Sequence, residues 1–275
     1  MKSWEKEKLV VEKSKFPITK DILVEDFKRI GLQAGDIVIV HSSLSKIGWV
    51  VGDAITVINA LMEVLTKEGT LVMPTMTSGN TDPQNWKYPP VPADWKPIIR
   101  QEMPQYEPTI TPTRGMGRIP ELFRILPNVF RSNHPQSSFS TWGKHAKEIV
   151  GEQKLEASFG HDSPLRKVYD LNGKILPLGV HHGSNTSLHY AEVKAELPNH
   201  PLQKQGAALL ESGKRIWKSW EEMEYDAEDF KELGIAFEKS TNYQTIKIGL
   251  AESRLMFSKD ILNFAVNWLS ENRKY

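Results

Sequence analysis

The chain has 275 residues, enough for one large domain or two small ones with a full core. Its 39% hydrophobic and 25% charged content argues against disorder, and its net charge of +1 with scattered basic residues argues against nucleic-acid binding. The absence of cysteine excludes disulfides, thiolate metal sites and a cysteine nucleophile. Because the N-terminal segment lacks a signal-peptide pattern and no apolar run approaches the roughly 20 residues of a membrane span, we expect a cytoplasmic protein with no membrane partner.

In chain order, the hydrophobic pattern alternates between helical and strand periods. It predicts a helix over 19–32 capped by Thr19, a strand over 36–43, a helix over 52–66, strands over 69–74 and 174–180, a helix from about 186 to 197, a hairpin over 208–220 turning at Ser212-Gly213, a strand pair over 243–256, and a helix over 258–272 capped by Ser258. This alternation predicts a single α/β domain over 1–275, with a three-layer α/β/α arrangement around a mixed, largely buried sheet.

The segment 77–114 departs from this alternation. Nine of the 17 prolines lie between Pro74 and Pro112, and no helical or strand period is evident there. A long loop inside a compact domain is usually functional or disordered. Aromatic residues recur along it, which favours an ordered lid that packs on the rest of the protein; they are Trp86, Tyr88, Trp95 and Tyr106.

A hydroxyl-rich loop follows the first predicted strand, with the sequence HSSLSKIG over 41–48. Such a loop between a strand and a helix offers backbone N–H groups and a helix dipole to a phosphate. The spacing matches neither the P-loop nor the dinucleotide fingerprint, so neither ATP nor NAD is implied. Serines at a strand end are also common turn formers, and this alternative remains open.

A second motif, GVHHGSNTSLHYAE over 179–192, joins a strand to a helix. Good N-cap residues place His189 in the first turn of that helix, and Glu192 lies three residues later on the same face. A carboxylate there can orient an imidazole and stabilise its protonated form, as a general base requires. The alternative is a helix-terminal histidine with an incidental glutamate.

The same region contains five possible metal ligands, namely His181, His182, His189, Glu192 and His200. Their spacing is not HExxH, and adjacent histidines in an extended segment diverge. We therefore predict no metal, although a metal-dependent hydrolase remains an alternative. A third polar segment, over 131–143, is broken by proline and is predicted to be a loop.

Taken together, these segments resemble the aminoglycoside 3-N-acetyltransferases. The shared motifs occur in the family's order: HSSLSxIG, a strand ending in Met-Pro-Thr, TPTRxMGxxxExFR, SNHPxxSFxxWG and GVxxxSNTSLHxAE. The resemblance extends from about residue 16 to the C-terminus, and the chain is similar to Gram-positive chromosomal or prophage-borne members.

The resemblance implies acetyl transfer from acetyl-CoA to the 3-amino group of a 2-deoxystreptamine aminoglycoside, a small polyamine. It implies that His189 is the general base, that Glu192 orients it, and that the amine attacks directly. His182 is not required. The implied cofactor-binding residues are Ser42, Ser43, Leu44, Ser45, Ile47, Gly48, Thr75, Arg114, Gly115, Met116, Gly117, Ser138 and Phe139.

An aminoglycoside is a polycation, so its site should be locally acidic. The segment 221–229 has six acids in nine positions, of which Glu221, Glu222, Glu224 and Asp226 are predicted to contact substrate. The alternative is a solvated surface whose acids lie at the N-terminus of the next helix. Another amine as substrate, or an acyl-CoA-binding protein without turnover, also remains open.

Overall fold

A computed structural model of the chain describes residues 3–275. Its helices are α1 (Ser3–Lys13), α2 (Lys20–Arg29), α3 (Leu44–Ile47), α4 (Ala54–Leu65), α5 (Trp95–Glu102), α6 (Arg118–Phe123), α7 (Ala146–Val150), α8 (Pro164–Asp170), α9 (Leu188–Ala195), α10 (Phe230–Thr241) and α11 (Ser258–Asn272). Its strands are β1 (Ile37–Ser42), β2 (Thr70–Pro74), β3 (Phe130–Arg131), β4 (Phe139–Gly143), β5 (Lys174–Leu178), β6 (Leu202–Glu211), β7 (Lys214–Met223), β8 (Ile246–Ile248), β9 (Ala251–Ser253) and β10 (Met256–Phe257).

Eight strands form one mixed sheet in the order β3-β4-β2-β1-β5-β9-β8, with β10 also paired to β5. The central strand β1 runs parallel to β2 and to β5. Strands β4, β9 and β10 pair antiparallel with β2 or β5. The prediction of a mixed sheet is confirmed, and β6 and β7 form a separate two-stranded hairpin.

The two faces of the sheet are both covered by helices. Successive side chains of a strand point to opposite faces, so Val38 and Val40 of β1 pack with α2, α4 and α6. Ile39 lies in a second core with residues of α7, α8, α9, α10 and α11. The predicted α/β/α layering is therefore confirmed. Within the described chain, no helix has both the length and the apolar character needed to cross a bilayer.

Most predicted elements are present, with shifts at their ends. Thr19 caps α2 by accepting the N–H of Ile22 at 3.4 Å, as predicted. The hairpin of β6 and β7 turns at Ser212 and Gly213, which have φ of 50° and 75°. Ser258 is the first residue of α11 rather than its cap, so that detail of the prediction was wrong.

The prediction of a loop over 131–143 was wrong, because this segment contains β3 and β4. Polar residues concealed the buried strand β4. Their hydroxyls are satisfied internally: Ser140 donates to the Thr75 hydroxyl at 3.1 Å, and Thr141 donates to the Ala146 carbonyl at 2.8 Å. Hydrogen-bonded hydroxyls are buried at little cost.

The proline-rich segment 77–114 is ordered, but it is not all loop, since it contains α5. Pro97 in the first turn of α5 is compatible with a helix and concealed its period. The segment packs on the β6–β7 hairpin through several hydrogen bonds. Tyr106 N–H donates to Ala208 at 2.9 Å, Asn85 donates to Lys204 at 2.9 Å, and Arg215 donates to Met103 at 2.9 Å. Its role as a lid stays a prediction.

Candidate active site

A cavity of about 910 Å³ opens at the carboxyl ends of β1 and β5. Three loops meet there: the one after β1, the one before α6 and the one between β5 and α9. In an open α/β sheet, ligands bind at this edge because loops from neighbouring strands converge on it. The cavity walls include Lys6, His41, Trp49, Asp53, Arg118, Asn185, Thr186, His189 and Phe230.

The loop after β1 is fixed by bonds to distant parts of the chain. Ser43 N–H donates to the Leu178 carbonyl at 2.9 Å, and Trp49 N–H donates to the Ser14 hydroxyl at 2.8 Å. Gly48 has a φ of 105°, and a Cβ there would lie 3.3 Å from the side chains of Ile18 and Leu250. A residue with a side chain would be strained at this position, so glycine is required there. The serines of the loop line the cavity.

His189 lies in the first turn of α9, and its Nδ1 is 2.5 Å from Glu192 Oε2. The Glu192 side chain has no solvent exposure, whereas the His189 side chain is 14% exposed and lines the cavity. A carboxylate can only accept a hydrogen bond, so the imidazole proton lies on Nδ1. Nε2 is then the nitrogen whose lone pair is available to a ligand, as a general base needs.

Aromatic side chains enclose the imidazole of His189. The ring of Phe159 is stacked on it, with centroids 4.9 Å apart and planes 10° from parallel. Tyr225 meets it edge-on at 5.5 Å, and Phe230 lies tilted at 4.9 Å. These contacts restrict the ring to one orientation and lower the local dielectric around it.

The second oxygen of Glu192 is also occupied. Oε1 accepts hydrogen bonds from the Arg273 guanidinium and from the Asp226 N–H, the latter at 3.1 Å. Arg273 also binds both oxygens of Asp229, at 2.5 and 2.6 Å. The His189–Glu192 pair is thus connected to the C-terminal residues of the chain.

Three buried polar atoms on the cavity wall have no hydrogen-bond partner among the described residues: His41 Nε2, Ser42 Oγ and Asn185 Nδ2. The Asn185 amide is oriented by Ser187 N–H, which donates to its Oδ1 at 3.2 Å, so the NH₂ group is the free end. Burial, with smaller contributions from His182 and His189, lowers the pKa of His41 to about 3 and keeps it neutral. An unpaired buried polar group costs roughly 1–3 kcal/mol, so these atoms favour a polar ligand.

His182 belongs to a second, separate cluster. Its Nε2 is 2.9 Å from Glu238, which also pairs with Arg254. Burial lowers the pKa of His182, and the Glu238 carboxylate opposes this effect. His182 is 2% exposed and is not among the cavity-lining residues, which is consistent with its omission from the predicted mechanism.

The predicted cofactor-binding residues divide into two groups. Those that line the cavity are Ser42, Ser43, Leu44, Ser45, Gly48, Gly115, Met116 and Gly117. Those that do not line it are Ile47, Thr75, Arg114, Ser138 and Phe139. Thr75 and Ser138 are buried and are joined by a hydrogen bond, in which Ser138 Oγ donates to the Thr75 carbonyl at 2.8 Å. Both lie in the protein interior and not on the cavity surface.

The predicted substrate-binding acids Glu221, Glu222, Glu224 and Asp226 are not among the residues that line the cavity. Glu222 is 5% exposed and accepts hydrogen bonds from the Ser158 hydroxyl at 2.7 Å and the Ser158 N–H at 3.2 Å. Burial raises its pKa, and the bonds from Ser158 oppose this effect. Glu222 is therefore bound internally, while substrate contact by the other three acids stays a prediction.

The possible metal ligands of the sequence do not converge on one point: His189 contacts Glu192, while His181, His182 and His200 have other partners. His181 Nδ1 accepts the Gly183 N–H at 3.0 Å, and His200 Nε2 donates to the Glu224 carbonyl at 2.8 Å. Within residues 3–275, no three histidine or acidic side chains are grouped as a metal site requires.

Three residues that contact the His189–Glu192 pair were not predicted from the sequence, namely Phe159, Tyr225 and Arg273. Arg273 is 81 residues from Glu192, so no local spacing could have indicated the contact. Phe159 follows a loop with no distinctive pattern.

The chain is similar in sequence and fold to proteins that are already known. The sequence model of the family described as aminoglycoside 3-N-acetyltransferase matches residues 39–270. The SPbeta prophage-derived aminoglycoside N(3′)-acetyltransferase-like protein YokD of Bacillus subtilis strain 168 is 46% identical over 266 residues, which cover 96% of this chain and 97% of that protein. The crystal structure of YokD superposes with a TM-score of 0.93, at 45% identity over 96% of this chain and 98% of that one.

Two further solved structures share the fold. AAC-VIa bound to sisomicin has a TM-score of 0.85 at 26% identity, covering 94% of this chain and 100% of that one. AAC-IIIb in a binary complex with CoASH has a TM-score of 0.83 at 24% identity, with the same coverage of 94% and 100%. The family match over most of the sequence and the identity with YokD show that the chain belongs to the aminoglycoside 3-N-acetyltransferase family.

Proposed function

We propose that this protein transfers an acetyl group from acetyl-CoA to an amine of an aminoglycoside or a related polyamine, with His189 as general base. The observation that carries the proposal is the His189–Glu192 hydrogen bond of 2.5 Å, which leaves Nε2 as the free basic nitrogen of a cavity-lining imidazole. Membership of the acetyltransferase family supports the reaction type.

The cavity has features that fit a CoA thioester. The loop over 42–48 presents hydroxyls, and Gly115 and Gly117, with φ of 78° and 86°, leave room for close approach of a ligand to the backbone. Lys6 and Arg118 supply positive charge on the same wall, although Arg118 also pairs with Asp53. The unpartnered donor Asn185 Nδ2 is available to a carbonyl oxygen.

The residues of the chain would act as follows. An ammonium cannot attack a carbonyl, so neutral His189 accepts a proton from the amine through Nε2 as nitrogen attacks. Glu192 accepts the hydrogen bond from Nδ1 and stabilises the imidazolium that develops. Acetyl-CoA supplies the activated acetyl thioester: the new C–N bond forms, the C–S bond breaks, and the proton taken up by His189 passes to the departing thiolate, which leaves as CoASH. Asn185 Nδ2 and Ser42 Oγ are proposed donors to the oxyanion.

A thiol-release assay across a panel of amines tests this function. The panel includes 2-deoxystreptamine aminoglycosides, simple polyamines and monoamines, each with acetyl-CoA. Release of CoASH that depends on an amine, together with an acetylated amine in the mass spectrum, supports the proposal. CoA binding without turnover of any amine would indicate an acyl-CoA-binding protein, and hydrolysis abolished by a chelator would indicate a metal-dependent hydrolase.

A further inference from the structure

We propose that Arg273 is a positioning residue for this reaction: its guanidinium fixes Glu192 against His189 and offsets part of the carboxylate charge that faces the imidazole. The proposal rests on the proposed function in assigning the base role to His189. It adds that Arg273, which follows α11 and is far from the site in sequence, influences the pH range over which the proposed base is active.

Both carboxylate oxygens of Glu192 are occupied by hydrogen bonds. Its side chain has no exposure, its Oε2 binds His189, and its Oε1 binds Arg273 and the Asp226 N–H. With both oxygens bound, the carboxylate cannot rotate away from the imidazole. Arg273 is the charged partner among these contacts, so it supplies the main electrostatic support for the carboxylate.

Arg273 is itself held in place by contacts on several sides. Its side chain is 8% exposed, and its Nε and Nη2 donate to the two oxygens of Asp229 at 2.6 and 2.5 Å. Nη2 also donates to the Asp226 carbonyl at 2.6 Å, and the guanidinium lies 5.6 Å from the Phe230 ring centroid. Burial opposes its charge, but the bonds to Asp229 and Glu192 outweigh burial and raise the pKa of Arg273. The guanidinium therefore stays charged throughout the working pH range.

The charge of Arg273 also acts on the His189–Glu192 pair. A buried carboxylate beside an imidazole favours the imidazolium, which cannot accept a proton. The adjacent guanidinium offsets this attraction. The other titratable groups around the pair are Asp229, which shares the Arg273 guanidinium with Glu192, Tyr225, whose pKa burial raises, neutral His41, and Tyr275, which interacts with Arg273 and Glu192. None of these carries a positive charge at neutral pH, so Arg273 provides the balancing cation.

The variants Arg273→Met, Arg273→Lys and Asp229→Asn test the proposal, with Arg254→Met as a matched control. Arg254 makes the same kind of contact with Glu238 beside His182, but that cluster does not line the cavity. For each protein, kcat and KM are measured against pH from 5.5 to 9 with acetyl-CoA and the best amine. Thermal unfolding checks that each variant is folded.

Arg273→Met is expected to lower kcat at pH 7 about 10- to 100-fold with little change in the KM for acetyl-CoA. The acid limb, meaning the decrease of kcat on the acidic side of its pH profile, should move to higher pH by about one unit in this variant, because a nearby positive charge is lost. Arg273→Lys should keep the limb near its original position. Asp229→Asn should move the limb to lower pH, since it removes a negative charge. Arg254→Met should leave both kcat and the limb unchanged.

If Arg273 had a merely structural role, Arg273→Met would lower kcat, but the acid limb would not move to higher pH in Arg273→Met and to lower pH in Asp229→Asn. That result would overturn the proposal. Histidine ¹⁵N NMR of the same variants provides a readout without turnover, with the His189 signal assigned from His189→Ala. The His189 signal should titrate at higher pH in Arg273→Met. If the wild type turns over no amine, the proposed function fails, while the NMR titration still decides the role of Arg273.

Discussion

The ring of Phe159 lies parallel to the imidazole of His189, with centroids 4.9 Å apart. The residue before it, Ser158, is bound through its hydroxyl and its N–H to the buried carboxylate of Glu222. The Ser158 hydroxyl also lies 3.1 Å from His134 Nε2. The buried cluster His134–Ser158–Glu222 therefore fixes the wall against which the proposed base is stacked, and this position explains why an acid of the run 221–229 is internal.

Replacing His189 by Ala removes the proposed proton acceptor without altering the loop over 42–48. We expect kcat to fall about 10²–10⁴-fold, the typical contribution of general-base catalysis. Glu192→Gln should also lower kcat, because a neutral amide stabilises an imidazolium less well than a carboxylate. CoA affinity from calorimetry should change little in either variant, and His182→Ala is the mild control. Near-full turnover by His189→Ala would show that another group is the base.

Ser43→Trp places a large side chain in the cavity at the end of β1. CoA and acetyl-CoA should raise the melting temperature of the wild type, because a ligand that binds only the folded state stabilises it by mass action. The variant should be folded but should show no shift with CoA in differential scanning fluorimetry. ATP and NAD should shift the wild type much less, and an equal shift with NAD would contradict the CoA assignment.

Glu221 and Glu222 form a matched pair of neighbours with different environments, exposed and buried. Glu222→Ala leaves Ser158 without its acceptor and should lower the free energy of unfolding by about 1–3 kcal/mol in urea denaturation. Glu221→Ala should change the free energy of unfolding by no more than about 0.5 kcal/mol.

If the acidic run binds substrate, the KM for a polyamine should rise in Glu221→Ala and Glu224→Ala, whereas the KM for a monoamine should not change. Unchanged KM values would show that Glu221 and Glu224 do not contribute to substrate binding.

Two buried histidines should make the fold sensitive to mild acid. Burial lowers the pKa of His134 to about 4 and, with help from neighbouring histidines, that of His41 to about 3, both below the ordinary 6.5. Below pH 6.5 these histidines bind protons more readily in the unfolded chain than in the folded protein. The free energy of unfolding is therefore highest above pH 6.5 and decreases as the pH falls toward 4 and 3. For His134 the loss between pH 7 and 5 should be about 2 kcal/mol.

His134→Asn tests this sensitivity. The Asn carbonyl can accept the N–H groups of Gln136 and Ser137 that His134 Nδ1 now accepts at 3.2 and 3.0 Å, and it does not titrate. We expect lower stability at pH 7 but a shallower decrease to pH 5, measured by urea denaturation. An equal slope in wild type and variant would remove His134 from the account of acid sensitivity.

The segment 77–114 should respond to ligands if it acts as a lid. Lys87 is exposed within it, and Lys67 is exposed in the turn before β2, well outside it. Trypsin cleavage after Lys87 should slow when CoA and an amine substrate are both present, while cleavage after Lys67 should be unaffected. Mass spectrometry of the fragments follows both sites. Equal rates with and without ligands would make the segment a structural loop anchored on the β6–β7 hairpin.

The sequence was sufficient wherever local periodicity or a short motif carried the information. The strands β1, β2 and β5 are continuous apolar runs, and the central strands of a sheet covered on both faces must be apolar. The His189–Glu192 contact followed from their spacing of three residues, since the helix itself brings such residues together. Strand β4 was missed because its hydroxyls are buried only through partners supplied by other segments.

Only the tertiary structure decided which residues surround that pair. Arg273 reaches Glu192 because α11 packs against α9, and Phe159 reaches His189 because Glu222 holds the preceding residue. The same packing made Glu222 an internal ligand although its neighbours in the acidic run are more exposed. The sequence gives the identity and spacing of the charged residues. Their burial and their hydrogen-bond partners depend on contacts between segments that are distant in the chain, and those contacts form only when the core forms.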